Sequence, residues 1–183
     1  MVRAIIEIIM LLLIVIVILT AVALNYYKKC PAGSMLVVFN NKPDVFGSTV
    51  KIIKSGGAFV WPFGGSFVIL DLSPFPVDIF FDKIIYKDGS LRNFKAKLIL
   101  SISTYEEEVK NAIERISGLG REKVIELSRD IISGHLRSFF LGISKNEIVD
   151  HLILKNKIAE ELEQPLEDIG LRIMNMDLME LQS

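Results

Sequence analysis

From Ile8 to Leu19 every residue is Ile, Leu, Val or Met, and this run limits what the chain can become more than any other feature. Widened to Ala4–Leu24 it gives twenty-one residues. As a helix these reach about 31 Å at ~1.5 Å per residue, which matches a hydrocarbon core of about 30 Å. The Ile, Leu and Val side chains of the run together favour insertion by roughly 3–7 kcal/mol, an upper bound because positions near the ends contribute less. Glu7 opposes this from the first turn, where headgroups and the positive end of the helix dipole tolerate a carboxylate. Insertion wins, and residues 1–27 are predicted to form a single transmembrane anchor. Tyr26, Tyr27, Lys28 and Lys29 follow directly, as aromatic and snorkelling anchors at a membrane interface do. A cleavable signal peptide is the rival reading, because Ala21-Val22-Ala23 resembles a small-residue cleavage site. Against it stand the weak basic start, with Arg3 offset by Glu7, and the length of the apolar run. Arg3 plus the amino terminus against two lysines leans only slightly toward a cytoplasmic body. Cys30 lies just beyond the span and is a candidate for reversible acylation, the alternative being a thiol with no role.

The rest of the chain is of a different kind. Mean hydropathy is +0.44, yet of 21 basic and 22 acidic residues all but Arg3 and Glu7 lie after residue 24. The expectation is a membrane-attached globular body, not a polytopic protein. A net charge of -1 and a pI near 6.2 lack the basic excess of a nucleic-acid binder. One cysteine excludes an internal disulfide or a Cys-rich zinc site, and His135 and His151 leave little for metal chemistry.

Strand periodicity dominates residues 28–103. Short apolar runs at Met35–Phe39, Val50–Ile53, Ala58–Val60 and Phe67–Leu72 are divided by Gly56-Gly57 and Gly64-Gly65. Val77, Ile79 and Phe81 alternate with Asp78, Phe80 and Asp82, and Asp88-Gly89 marks a hairpin turn after a strand Ile84–Tyr86. Phe94, Ala96, Leu98, Leu100 and Ile102 share one face of the clearest strand. Over 104–183 the period becomes that of a helix. Thr104 with Glu107, and Ser144 with Glu147, read as capping boxes. The first opens a helix with Tyr105, Val109, Ala112, Ile113 and Ile116 inward. The second should bring Ile148, Val149 and Leu152 inward. Between them a helix from about Arg121 to Leu141 carries Val124, Ile125, Ser128, Ile131, Ile132, His135, Leu136, Phe139 and Phe140 as its apolar stripe. A further helix through Ile158 and Leu162 should kink or end at Pro165, and Leu171 to about Leu181 forms a final strand. The class is α+β: a membrane helix, a β-rich half (28–103) and a helical half closed by a strand (104–183).

Catalytic constellations do not emerge. No nucleophile elbow, Walker loop, dinucleotide fingerprint or zinc-protease motif occurs. Asp71, Asp78 and Asp82 are spread along the β half and read as solvated acids. His135 is expected to be a hydrogen-bonded core histidine, and His151 a residue capping a helix end. Gly134 costs ~1 kcal/mol relative to Ala within a helix, which a close helix–strand approach would justify. Neither an enzyme nor a cofactor is expected. The distinctive remainder is Phe59, Trp61, Phe63 and Phe67, aromatics set among Gly and Pro. They suit a loop dipping into the headgroup zone, and core packing fits them equally well.

Gly56-Gly57-Ala58-Phe59-Val60-Trp61-Pro62, with the strand ending Asp71-Leu72-Ser73, resembles the start of the flotillin domain, as does Pro31-Ala32-Gly33 leading into Leu36-Val37-Val38. Ser133-Gly134-His135-Leu136-Arg137 is similar to a helix segment of that family. Asp168-Ile169-Gly170-Leu171-Arg172-Ile173 resembles the strand entry found across the stomatin–prohibitin–flotillin (SPFH, or band 7) superfamily. The resemblance implies an SPFH domain over about residues 28–183, whose β-rich, membrane-proximal subdomain rests on the inner leaflet. That favours the membrane reading of Phe59, Trp61, Phe63 and Phe67. It also implies a non-enzymatic scaffold on the cell membrane, a homo-oligomer that organises membrane microdomains (lipid rafts) and recruits client membrane proteins. A small membrane partner with an OB-fold domain is implied as well. The alternative within the superfamily is a regulator that docks a membrane protease. Flotillins continue into a Glu/Ala-rich coiled coil; residues 1–183 carry no heptads, so these residues alone are not expected to assemble strongly. Gln164-Pro165 interrupts a helix that is normally continuous.

Overall fold

The computed structural model describes residues 2–39, 50–60, 64–143 and 151–181. It has the mixed architecture expected: an N-terminal apolar helix, a strand-rich region, then helices and a final strand. By compactness the chain divides into Met1–Asp71 and Leu72–Ser183. The change of period near Ser103 falls inside the second unit, because the strand just before it (Leu91–Ile102) pairs with the final strand (Leu171–Leu181).

In the first unit, helix α1 (Val2–Tyr26) passes directly into strand β1 (Tyr27–Lys29). From Ile6 to Asn25 every side chain of α1 is exposed. Within this run the Thr20 hydroxyl donates to the Ile16 carbonyl at 2.8 Å, so it needs no water. Strand β1 pairs antiparallel with β4 (Gly57–Phe59). A second sheet places β2 (Ser34–Phe39) between β3 (Val50–Ile53) and β5 (Ser66–Asp71), all antiparallel. Met35, Leu36, Val37 and Val38 are all buried, so both faces of β2 are covered and the strand shows no alternation. Leu36, Val38 and Val60 form a small core with Cys30, Ile53 and Ala58 against it.

In the second unit, β6 (Phe75–Ile85), β7 (Leu91–Ile102) and β8 (Leu171–Leu181) form an antiparallel sheet in that order. Val77, Ile79 and Phe81 of β6 and Phe94, Ala96, Leu98 and Leu100 of β7 are buried, as their alternation predicts. They meet α2 (Glu106–Arg115), α3 (Arg121–Gly142) and α4 (His151–Glu167) in one core. Phe140 inserts edge-on between Tyr86 and Phe94, with ring centroids at 5.2 and 5.0 Å, separations at which aromatic pairs attract beyond their buried area. The expected separate strand at Ile84–Tyr86 is the end of β6, displaced by a bulge between Phe81 and Ile84. Lys83 adopts φ 59° there, and its amide donates to Asn93 Oδ1 at 3.0 Å. The extra residue shifts the alternation by one, which turns Ile84 and Tyr86 inward. Asp88-Gly89 does form the turn: Gly89 has φ 78°, and Asp88 Oδ1 accepts from the Ser90 amide at 2.9 Å.

Several local expectations are corrected. Helix α2 is capped by Tyr105, without a side-chain cap hydrogen bond, instead of by Thr104. Tyr105 itself is exposed instead of facing inward, with the Arg172 guanidinium 4.2 Å from its ring centroid. Leu152 is exposed, while Leu154, Ile158, Leu162 and Leu166 form the inward stripe of α4 at steps of four. Pro165 does not break α4, which ends only two residues later at Glu167. The Ser144 capping box, Ile148 and Val149 lie outside the described residues. Gly134 is exposed, and a Cβ there would meet nothing within 4 Å, so it marks no close approach. Gly170 does. It has φ +74°, and a Cβ would fall under 3.0 Å from Ala112 and from the Glu108 carbonyl.

Candidate membrane interface

The end of α1 is fastened to the β1–β4 strand pair by backbone and ring contacts. An isolated helix leaves its last carbonyls without partners, but here the Val60 amide donates to the Tyr26 carbonyl at 2.9 Å. Tyr26 and Phe59 meet edge to face with centroids 6.3 Å apart, and Tyr27 stands directly opposite Phe59 in the ladder. Such cross-strand aromatic pairs contribute roughly 0.2–1 kcal/mol. Gly56 and Gly57 make this fastening possible for separate reasons. Gly56 takes φ +88° and its carbonyl accepts from the Cys30 amide at 2.9 Å. At Gly57 a Cβ would lie 2.6 Å from the Lys28 carbonyl and 2.8 Å from the Tyr27 ring. The backbone can approach only because no side chain is present.

The unit that carries this joint also leaves large apolar side chains in contact with solvent: Tyr27 is 46% exposed, Phe59 45%, Phe67 38% and Ile69 44%. Lys28 folds back so that Nζ lies 5.4 Å from the Phe67 ring centroid, a cation–π contact, while Lys29 is exposed. Of the sequence-derived set, Tyr26, Tyr27, Lys28, Lys29, Phe59 and Phe67 are therefore brought to one unit. Trp61 and Phe63 lie outside the described residues. Ile69 was not anticipated, since an Ile inside a strand gives no sequence signal of facing outward. The Cys30 thiol is half-buried and donates to the Ser34 carbonyl at 3.2 Å.

Residues considered for chemistry stay apart. Asp78 and Asp82 are exposed on β6, with Asp71 in the other unit. His135 is half-buried on α3 and not fully in the core. His151 is the first described residue of α4, which runs on to Glu167, so it does not cap a helix C-terminus. Among the described residues no group of His, Cys, Asp or Glu has the arrangement of a metal site. The strongest polar cluster is structural. Arg172 Nε and Nη2 bond both oxygens of Glu108, at 2.9 and 3.2 Å, and Nη2 reaches Glu167 Oε1 at 3.4 Å. The hydrogen bond with Glu108 raises the guanidinium above its ordinary value.

Residues 28–182 match the SPFH domain / Band 7 family. The chain belongs to that family. It is 24% identical over 193 aligned residues to Flotillin-like protein FloT of Bacillus subtilis (strain 168), with all of the chain aligned and 37% of that relative covered. Within the SPFH superfamily the chain is flotillin-like. It spans little more than a third of the curated relative it matches. The match begins at Lys28, two residues past the end of α1, so the joint just described is where the SPFH domain meets an apolar helix of a length and composition able to cross a membrane.

Proposed function

We propose that this SPFH-domain protein is a membrane-anchored, non-enzymatic scaffold that associates with itself to organise a membrane microdomain. In this reading α1 crosses the bilayer once and the body sits on the cytoplasmic side. Tyr27, Phe59, Phe67 and Ile69 contact the headgroup region of the adjacent leaflet, and client membrane proteins and a small OB-fold membrane partner are the company it keeps. The observation that carries the reading is the joint itself. Tyr26 is bonded to Val60 and set edge to face with Phe59, so a spanning helix holds the first β unit at the bilayer with no slack linker between them. A second apolar contact then fixes its tilt. Each ring fully withdrawn from water adds about 1.5–3 kcal/mol, although rings that are already half covered gain less.

Two measurements test it. The full chain reconstituted in vesicles, labelled at low density, should form clusters of several copies by single-molecule photobleaching; a purely monomeric distribution contradicts the scaffold reading. For topology, Lys29→Cys in a Cys30→Ser background is the better reporter, because Lys29 is exposed and the Cys30 thiol is engaged. Resistance to a membrane-impermeant maleimide in intact cells supports a cytoplasmic body, and rapid labelling refutes it.

A further inference from the structure

Helix α1 has a polar residue near each end and is locked at its C-terminal one, and together these features restrict the bilayer it can occupy. Between Glu7 and Asn25 lie seventeen residues, of which Thr20 is the one polar side chain. Its hydroxyl donates to the Ile16 carbonyl within the helix. Ile8–Leu24 therefore offers lipid an apolar surface about 26 Å long at ~1.5 Å per residue. Glu7 is exposed on this helix, and a much thicker core draws its carboxylate into hydrocarbon, where an acid is strongly disfavoured. The longer run Ala4–Leu24 reaches about 31 Å, which is usable only while Glu7 stays among the headgroups in the first turn. That sets the thick limit.

Thin bilayers press on the other end. A spanning helix that is too long ordinarily tilts, and a run of about 26 Å fits a core of about 22 Å by leaning about 30°. Leaning is easy when a flexible linker follows, because the soluble body need not turn with the helix. In this chain nothing intervenes, since α1 ends at Tyr26 and β1 starts at Tyr27. The Val60 amide donates to the Tyr26 carbonyl and the Cys30 amide to the Gly56 carbonyl, both at 2.9 Å. The Tyr26 ring meets Phe59, and Gly57 backs onto the Lys28 carbonyl and the Tyr27 ring with no room for a Cβ. Any lean of α1 must turn β1 and β4 with it or break these contacts. Tyr27 and Phe59 stand opposite each other in that ladder, both exposed. Turning the ladder takes them away from the headgroup depth that suits amphipathic and aromatic rings.

We propose that the joint and Glu7 together select bilayers by thickness, with a hydrocarbon core of about 26–31 Å preferred. Thinner cores are disfavoured by the locked helix end and thicker ones by Glu7. The inference rests on the membrane-scaffold reading above and adds the physical property of the lipid that such a scaffold gathers. No particular headgroup is required. Each limit belongs to a different part of the chain, so the two can be removed separately.

The test is lipid competition around the full chain, in vesicles of phosphatidylcholines whose monounsaturated chains give cores from about 22 to 36 Å. Ile16→Trp in a Trp61→Phe background reports from the middle of the run. A brominated lipid of intermediate length, mixed with each test lipid in turn, gives relative affinities through quenching. Affinity should be highest at about 26–31 Å and fall about threefold or more toward both ends of the series. Inserting Gly-Ser-Gly-Ser between Tyr26 and Tyr27 should abolish the fall at the thin end and leave the thick end unchanged. Glu7→Leu should do the reverse. Circular dichroism and thermal melting establish that the inserted chain is folded. If it is not, Gly57→Ala, which loosens the strand pair without lengthening the chain, should show the same change to a smaller extent. A folded linker variant that keeps the parent's fall at the thin end overturns the proposal, as does a Glu7→Leu chain that still falls at the thick end. A flat profile in the parent overturns the thickness window and leaves the spanning reading intact. Absence of any quenching by brominated lipid overturns both.

Discussion

Gly170 fixes how the chain enters β8. It opens β8 in a left-handed conformation, its carbonyl accepts from the Ser103 amide at 3.0 Å, and it lies against Ala112 and the Glu108 backbone of α2. Gly170→Ala adds strain and a backbone clash together, and should lower stability by about 2–4 kcal/mol in urea unfolding. Gly134 is the converse case. Its missing side chain serves no packing, so Gly134→Ala should stabilise α3 by about 1 kcal/mol; a loss of stability would reveal a contact that the exposed position does not show. Both glycines stand in segments resembling the same family, and nothing in the sequence separates them, because what distinguishes them is a neighbour about sixty residues away. Arg172 illustrates pH behaviour. Its folded value is raised, so its contribution is fully present below the ordinary arginine value and is lost only as pH rises beyond it. Arg172→Met should therefore cost the same stability at pH 7 and at pH 9, measured by urea midpoints.

Among the elements, the β1–β4 strand pair closes as tightly as it does because one residue, Gly57, lacks a side chain. Gly57→Ala places a methyl group within 3 Å of the Lys28 carbonyl and the Tyr27 ring. Hydrogen exchange at the Cys30 and Val60 amides should accelerate at least tenfold, with the amides of β7 unchanged; uniform acceleration would mean that the two units unfold as one. Strands and helices were legible to different degrees, for physical reasons. β7 and β8 were readable because one face is buried and the other wet, so alternation appears in the residue types. β6 was read as two pieces because the bulge at Lys83 breaks the alternation without breaking the strand. Pro165 was expected to stop its helix, but it lies so near the end of α4 that the tertiary contacts of Leu162 and Leu166 outweigh it. Where the chain divides was not readable at all. A change from strand to helix period marks a change of element, whereas the division at Asp71 follows which strands pair, and pairing joins residues 75–102 to 171–181.

For the molecule as a whole, one apolar helix of a length able to cross a membrane is locked at its end to the β1–β4 strand pair, with no linker between the helix and the SPFH domain. The sequence carried the helix and the aromatic content plainly. It did not carry the joint, since a bond between Tyr26 and Val60 exists only once β1 and β4, about thirty residues apart in the chain, have paired. The account stands on the first β unit touching the leaflet. The most direct measurement is fluorescence quenching of the full chain in vesicles, with Phe67→Trp as reporter in a Trp61→Phe background and bromine atoms placed at graded depths on the lipid chains. Quenching should be strongest for the shallowest bromines, within about 5–10 Å of the headgroup boundary, with little response to aqueous iodide. A reporter quenched freely by iodide and untouched by brominated lipid would contradict the account.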